Sequence, residues 1–287
     1  MLCPCPYESL MNPIQKALWF VESHFSGDIT LDDVAAASGA SRFYLTRAFA
    51  AALGQPLIRY MRGRRLSEAA RALANGAPDI LSVALEAGYS SHEAFTRAFS
   101  EQFGTTPEAV RKQGTVAQLK LVEPITMDQT PLETLSPPRF VTAKALLITG
   151  ISERYKCDSS AAIPAQWQRF LPYFNNVPGQ IGNVAYGVTY NVDDDGNMDY
   201  LCGVEVPDFS RVPPDWARVR LPEQRYVVFS HPGHISGIRR TWSTVWTSWF
   251  PESGHEPADG ANFERYGETF DPQSGNGGVE LWIPIRR

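Results

Sequence analysis

The 287-residue sequence lacks any run of about eighteen apolar residues, so no segment qualifies as a membrane-spanning helix. Residues Met1–Met11 carry neither the basic start nor the apolar core of a secretion signal, so we expect a cytoplasmic protein. Cysteine is also scarce. The four residues are too few and too scattered for a disulfide framework, and they fit a reducing compartment: Cys3, Cys5, Cys157 and Cys202.

The chain has no overall excess of positive charge. Its 26 Lys and Arg against 31 Asp and Glu give a net charge of −5, which taken alone argues against a nucleic-acid binder. The charge is uneven, however, because residues 40–75 contain seven arginines and one acid, Glu68, whereas residues 114–287 are acidic. Such a basic segment is typical of a nucleic-acid interface, although an Arg-rich solvated helix face would look the same.

Two halves with different periodicity follow one another. In residues 12–113, apolar residues recur every three or four positions, which predicts an all-α domain. A proline-bearing segment, residues 114–138, is predicted to be a linker. Residues 139–287 then alternate between predicted strands (140–151, 184–190, 198–206, 225–231 and 279–285) and helices (165–174 and 237–250). The order strand, helix, strand, strand occurs twice and predicts an α+β domain of duplicated βαββ units.

The helical half contains a repeat. Residues 41–54 align with residues 91–104, and each segment follows a short apolar helix that ends in glycine, Gly39 or Gly88. A helix, a glycine-containing turn and a second helix form a helix-turn-helix motif, so the sequence predicts two of them.

The polar faces of the two second helices carry the candidate DNA-reading residues. At the N-terminal end of a recognition helix, arginine can donate to guanine and an aromatic ring can cover a thymine methyl group. Glu93 has an alternative role as a capping-box acid for Ser90, and Phe43 and Arg97 have alternatives in packing and in a surface ion pair. The candidates are Arg42, Phe43, Thr46, Arg47, His92, Glu93, Thr96 and Arg97.

One long amphipathic helix is predicted between the repeats, over residues 57–75. At about 1.5 Å per residue it could hold two reading heads in successive major grooves. Its arginines are predicted to neutralise phosphates: Arg59, Arg62, Arg64 and Arg65.

These motifs carry a family resemblance. The spacing Arg65-Leu66-x3-Ala70, Gly88-Tyr89-x-Ser91-x3-Phe95-x-Arg97-x-Phe99 and Phe103-Gly104-x-Thr106-Pro107 resembles the signature of the AraC/XylS transcription regulators. Val110 and Ser100 depart from the usual aromatic and lysine. The resemblance implies a sequence-specific DNA-binding regulator, expected to be an activator that contacts double-stranded DNA and RNA polymerase.

The second half resembles the GyrI-like effector domains through its strand order, Tyr186-Gly-Val-Thr and Phe263-Glu-Arg-Tyr266. That resemblance implies an aromatic-lined pocket with a buried glutamate that attracts cationic or amphipathic ligands. The candidates are Glu264 first, Glu280 second, and Tyr186, Tyr190, Trp167, Phe170, Trp246, Trp249 and Tyr266. Each tryptophan has an alternative role as helix-to-sheet core.

No cofactor, metal site or catalytic residue is predicted, since Cys3-Pro-Cys5 lacks a second pair and no phosphate-binding, dinucleotide or nucleophile-elbow motif is present. A ligand-sensing regulator is therefore the leading function. The alternatives for the second domain are a small-molecule hydrolase and a protein-interaction adaptor.

Overall fold

The computed structural model describes residues 12–25, 27–125, 134–156 and 162–286. Cys3, Cys5, Cys157 and residues 126–133 of the predicted linker lie outside these ranges. The chain divides into two compact units, residues 1–45 with 57–129, and residues 46–56 with 130–287. In the described ranges, no helix has the length and hydropathy needed to cross a membrane.

The all-α prediction for the first half is confirmed. Its helices begin at polar caps or prolines: Asn12 and Thr30 form capping boxes with Gln15 and Asp33, and Asp79 caps the fifth helix. The helices are α1 Pro13–His24, α2 Leu31–Ser38, α3 Arg42–Leu53, α4 Leu57–Ala74, α5 Ile80–Glu86, α6 His92–Phe103 and α7 Pro107–Gln113.

The two helix-turn-helix motifs share one turn geometry. Gly39 and Gly88 have positive φ values of 67° and 82°, a backbone conformation that glycine adopts without steric cost. The next backbone N–H in each repeat, from Ala40 or Tyr89, donates back to the preceding helix, to Ala35 O at 3.1 Å or Ala84 O at 2.9 Å. The predicted duplication is therefore present in the hydrogen bonds as well as in the sequence.

Residues 116–125 pack along α4, although they lie inside the predicted linker. The backbone N–H of Val122 donates to Ser67 Oγ at 2.8 Å, and that of Ile125 donates to Tyr60 Oη at 3.2 Å. The Val122 side chain lies against Gly63, where an added Cβ would approach it to 2.7 Å. Gly63 thus provides the close approach that seats this segment on the helix.

The second half forms one antiparallel sheet of the eight described strands, in the order β1-β6-β8-β7-β3-β4-β2-β5. Helix α8 Ile163–Phe170 follows β2, and α9 Ile238–Thr244, a π-helical turn Val245–Trp249 and α10 Phe250–Ser253 follow β6. The strands are β1 Arg139–Ala143, β2 Leu146–Tyr155, β3 Ala185–Tyr190, β4 Met198–Glu205, β5 Ala217–Leu221, β6 Gln224–His231, β7 Asn262–Tyr266 and β8 Val279–Pro284.

The strand order confirms the duplicated βαββ units. The unit β2-α8-β3-β4 matches β6-α9-β7-β8, and each unit receives an edge strand, because β1 pairs with β6 and β5 with β2. The units meet at the β3–β7 pair. The single strand predicted over residues 140–151 is wrong, since it is interrupted after Ala143, and β5 was not predicted at all.

Alternation along the strands separates two faces of the sheet. One face carries Tyr200 and Tyr266, which pack against the helices, and the other carries Tyr186, Phe263 and Trp282, which form an aromatic core of their own. Because Glu264 pairs with Leu281 in register, the neighbouring Glu280 points to the opposite face from Glu264. The two candidate carboxylates therefore cannot line one pocket.

Candidate DNA interface and ligand site

In the first reading head, the candidates differ in exposure. Arg42 is exposed, and its Nη1 pairs with Asp32 on α2 at 3.1 Å. Phe43 is half-buried and Thr46 is buried. Thr46 and Arg47 fall in residues 46–56, which group with the second unit and include the part of α3 from Thr46 to Leu53.

In the second reading head, Glu93 and Arg97 are exposed, and no ion pair joins Arg97 to another described residue. His92 Nε2 lies 3.3 Å from Glu108 at the start of α7, and Thr96 is half-buried. The cap is Ser91, whose Oγ accepts from Ala94 N at 3.2 Å, so the predicted capping box of Ser90 with Glu93 is wrong. Local hydrogen bonds, from its own backbone N–H and next from Ser91, hold the pKa of Glu93 below its usual value.

The arginines of α4 differ in exposure, because some face solvent and others are packed inside the first unit. Arg62 is exposed. Arg64 is only 3% exposed; its guanidinium lies 3.0 Å from Glu22 and 3.2 Å from Glu68, and also donates to Val122 O. A guanidinium buried in this way cannot reach a phosphate, so the prediction for Arg64 is corrected to a structural role.

Arg65 also forms hydrogen bonds within the first unit. Its Nε donates to Phe25 O at 2.8 Å, and its Nη2 donates to Gly27 O and Ile29 O at 2.8 and 3.1 Å. It therefore holds the α1–α2 loop by three carbonyl groups, and its predicted phosphate contact is corrected because these carbonyls already occupy Nε and Nη2.

Glu264, in the middle of β7, lies in a cage of neutral hydrogen-bond donors. Its Oε2 accepts from Tyr200 Oη at 2.7 Å and from Tyr266 Oη at 2.8 Å, and its Oε1 accepts from Trp242 Nε1 at 2.9 Å. Trp167 Nε1 donates in turn to Tyr200 Oη at 3.2 Å. No lysine, arginine or histidine in the described ranges forms an ion pair with Glu264. We name Tyr200, Trp242, Glu264 and Tyr266 the carboxylate cage.

The two tyrosines of the cage remain hydrogen-bond donors to Glu264 because their pKa values are raised. Burial, and next the negative charge of Glu264, raise the pKa of Tyr200 and of Tyr266 well above the usual value for a phenol. The same two causes raise the pKa of the buried Cys202 thiol. Both phenols therefore stay protonated at neutral pH and keep donating to the carboxylate.

Gly187 makes room for the cage. It pairs with Glu264 in register, and a Cβ built on it would approach Tyr200 Oη to 2.1 Å and Glu264 Oε2 to 2.8 Å. Distances this short would force the hydroxyl and the carboxylate apart. The Tyr-Gly-Val-Thr segment noted in the sequence thus supplies the gap in which the two groups meet.

Two of the other predicted aromatic residues adjoin the cage. The Trp167 ring lies edge-on to Tyr266 with centroids 4.8 Å apart, and Phe170 contacts Trp167 at 5.9 Å. Together with the rings of the cage residues they form an aromatic cluster beside the carboxylate.

Tyr186, Tyr190 and Trp249 lie elsewhere, and their assignment is corrected, whereas the role of Trp246 stays a prediction. On the opposite face of the sheet, Tyr186 Oη donates to Glu205 at 3.3 Å and Tyr190 Oη bonds Ser152 at 2.8 Å. Trp249 packs on Phe229, and Trp246 stacks on Phe250.

Glu280 differs from Glu264 in its partners. It pairs with Arg139 at 2.5 Å and with Arg265 at 3.6 Å, and it accepts from Trp282 Nε1 at 3.0 Å. Its charge is therefore already neutralised by arginines, so it is not placed to attract a cation.

Tyr200 and Trp242 were missed as site residues. Trp242 lies in the same tryptophan-rich segment as Trp246 and Trp249, but only strand register and helix placement show which ring faces Glu264. In the described ranges, no group of three histidine, cysteine or acidic side chains is arranged to hold a metal ion.

Comparison with known proteins agrees with these two units. Residues 136–286 match the GyrI-like small molecule binding domain, and residues 34–113 match a helix-turn-helix domain. Right origin-binding protein of Escherichia coli K12 is 29% identical, and transcriptional regulator Rob of Salmonella typhimurium is 28% identical; each alignment covers 96% of this chain and 98% of the relative. HTH-type transcriptional activator AarP of Providencia stuartii is 32% identical over 39% of this chain and 83% of its own length.

The predicted resemblances are therefore confirmed for both halves. The relatives named above are regulators or an origin-binding protein by their names, which is the class of protein that the helix-turn-helix pair predicts. The chain belongs to the GyrI-like small molecule binding domain family, and it is a DNA-binding transcription regulator in which this domain follows an AraC-type helix-turn-helix domain.

Proposed function

We propose that this regulator senses an amphipathic cation, and that the ligand's charge is recognised by Glu264. The observation that carries the proposal is the composition of the carboxylate cage. Three neutral donors, from Tyr200, Tyr266 and Trp242, hydrogen-bond the carboxylate, and no ion pair in the described residues neutralises it.

Such a cage leaves a full negative charge among aromatic rings. Removing a carboxylate from water is costly, and neutral donors offset only part of that cost. A cation with a large apolar body would supply the missing charge, and the rings of Trp167 and Tyr266 can hold it through their π-faces. The surround therefore favours a lipophilic cation over a neutral or anionic molecule of the same size.

For DNA, we propose that α3 and α6 enter successive major grooves. The proposed base-reading residues are those at their N-terminal ends that are not committed inside the protein: Arg42, Phe43, His92, Glu93, Thr96 and Arg97. Thr46 is buried and Arg47 Nη2 already donates to Gly260 O at 3.3 Å, so neither is proposed to contact a base. Arg62, which is exposed on the connecting helix, is the proposed phosphate contact in place of Arg64 and Arg65. Two half-sites about 10 bp apart should be required, because both heads belong to one chain.

We further propose that the DNA-binding domain includes residues 114–125, because this segment supplies hydrogen bonds to Ser67 and Tyr60 of α4. We also propose activation through contact with RNA polymerase. The activator name of the Providencia relative supports that role for this chain.

Tryptophan quenching tests the sensor. The full chain would be titrated with tetraphenylphosphonium, neutral triphenylphosphine oxide and the anion tetraphenylborate, three probes with similar aromatic bodies. We expect affinity to fall in that order. Equal binding of all three probes, or none, would leave the cation proposal without support, and tightest binding of tetraphenylborate would overturn it.

Selection of bound duplexes from a random pool tests the DNA proposal. The full chain should select two conserved half-sites at a fixed spacing of about one helical turn. Recovery of single half-sites, or of pairs at every spacing, would contradict the use of both heads.

A further inference from the structure

Trp242 differs from the other donors of the carboxylate cage in the element that carries it. Tyr200 and Tyr266 stand on β4 and β7, and each of these strands is hydrogen-bonded to neighbours on both sides. Trp242 stands on α9, a helix of seven residues, and its indole N–H reaches Glu264 Oε1 at 2.9 Å. The two phenols are thus fixed by the sheet, whereas the indole depends on the position of a short helix.

The backbone around Trp242 is regular on one side and irregular on the other. The preceding residue, Thr241, is fully buried, and its Oγ1 lies 2.8 Å from His231 Nδ1 on β6, which anchors the helix to the sheet. The chain after α9 continues as the π-helical turn Val245–Trp249. Such turns contain an extra residue and occur frequently at functional sites. The helix is therefore held at Thr241, next to a segment with an alternative helical geometry.

The indole already satisfies Oε1. A neutral ligand that donated one hydrogen bond to this oxygen would replace one neutral donor by another, and would gain little. A cation would gain more, because it brings to Oε1 a charge that the indole lacks. Trp242 therefore lowers the binding free energy that a neutral donor can gain at Oε1 more than the binding free energy that a cation can gain there.

We propose that Trp242 is a specificity-determining residue of the ligand site: its indole N–H occupies Glu264 Oε1 and is displaced when an amphipathic cation binds. This inference rests on the proposed function, since it requires that Glu264 receives the cation. It adds that binding breaks a hydrogen bond of the chain itself. The affinity observed is thus lowered by the fraction of molecules in which the indole still covers the oxygen.

The test is calorimetric titration of the full chain with tetraphenylphosphonium and with triphenylmethanol, a neutral molecule with a similar aromatic body and one O–H donor. Trp242→Phe keeps an aromatic ring and removes the N–H, so the phosphonium should bind about tenfold more tightly and the neutral alcohol should gain at least as much. Trp249→Phe is the matched control, because Trp249 lies in the following turn and packs on Phe229 instead of bonding Glu264. It should change neither affinity by more than about twofold.

Nuclear magnetic resonance of the indole N–H groups gives a second readout that does not depend on affinity. Loss of one signal in Trp242→Phe assigns the Trp242 resonance. In the wild-type chain, tetraphenylphosphonium should move that resonance upfield as the hydrogen bond to the carboxylate breaks, whereas the Trp249 signal should stay in place.

The outcomes separate this inference from the proposed function. If Glu264→Gln leaves the preference for the phosphonium unchanged, the proposed function fails. If Glu264→Gln removes that preference but Trp242→Phe binds the phosphonium equally or more weakly, and its indole signal does not move on binding, only the role of Trp242 is overturned.

Discussion

Arg64 in the first unit is a buried charge and Glu264 in the second is a half-buried one, and the groups that compensate them differ. Arg64 is compensated by charges of opposite sign, with Glu22 at 3.0 Å and Glu68 at 3.2 Å. Glu264 is compensated by three neutral donors. The first charge is paired within the chain, whereas no ion pair from the part of the chain that the structure describes neutralises the second.

We interpret this difference as separating a charge that stabilises the fold, Arg64, from a charge that we propose binds a ligand, Glu264. Removing one partner of a buried ion pair strongly destabilises the fold, because the other charge is left buried and uncompensated. Neutralising a charge that is held by neutral donors should reduce the stability of the fold less, since the donors and the packing around them remain. The same distinction applies to the exposed arginines, because Arg62 and Arg97 form no ion pair with any described residue.

The largest effect is expected when Arg64 is replaced. Arg64→Ala should lower the free energy of unfolding by about 3–5 kcal/mol, because Glu22 loses its buried partner. Arg62→Ala, two residues earlier on α4, is the control and should change it by less than about 0.5 kcal/mol. Urea denaturation measures both values, and equal values for the two variants would contradict the assignment of Arg64 to the core.

A smaller loss is expected from truncation of the segment that covers α4. A fragment ending at residue 113 should be less stable than one ending at residue 125 by about 2–3 kcal/mol, because Ser67, Tyr60 and Arg64 lose hydrogen-bond partners and Gly63 loses the Val122 side chain. Thermal unfolding of both fragments measures the difference. Indistinguishable stability would place residues 114–125 in the linker after all.

Arg97 should affect DNA recognition and leave the fold intact. Arg97→Ala should cost about 1–3 kcal/mol on the selected site and relax the preference at one base pair, because its exposed guanidinium is free to donate to a guanine. Fluorescence anisotropy with specific and random duplexes measures this cost. An equal loss on both duplexes would make Arg97 a phosphate contact.

The smallest effect is expected for Arg62 on DNA. Arg62→Ala should weaken binding to every duplex to a similar degree and reduce the slope of log affinity against log salt by about one, as expected for one lost phosphate contact. Salt titrations of the wild-type chain and the variant measure the slope. An unchanged slope would remove Arg62 from the interface.

The sequence was sufficient to predict those elements of the fold that follow from local periodicity. The helix spacing, the repeated Ser-to-Gly segments and the glycines at 39 and 88 predicted both helix-turn-helix motifs, and the strand order predicted the duplicated sheet. These features depend on residues near one another in the chain.

The site residues were harder, because they depend on register and on distant partners. Arg64 and Arg62 look alike in sequence, and only the position of Glu22 on α1 shows which of them is buried. Tyr200 and Glu264 stand on strands separated by β3, and they meet because Gly187 between them has no side chain. Glu280 could not be separated from Glu264 by sequence as the candidate carboxylate of the ligand site. The pairing of Glu264 with Leu281 shows that Glu280 points to the other face of the sheet.

The proposed sensor depends on the charge of Glu264, and not merely on a carboxylate in this domain. Calorimetric titration of the wild-type chain, Glu264→Gln and Glu280→Gln with tetraphenylphosphonium and tetraphenylborate separates these two possibilities. Glu264→Gln should lower the ratio of cation to anion affinity at least tenfold, about 1.4 kcal/mol, and Glu280→Gln should change it less than about twofold. An unchanged ratio in Glu264→Gln, or an equal loss in both variants, would show that the charge of Glu264 does not select the ligand.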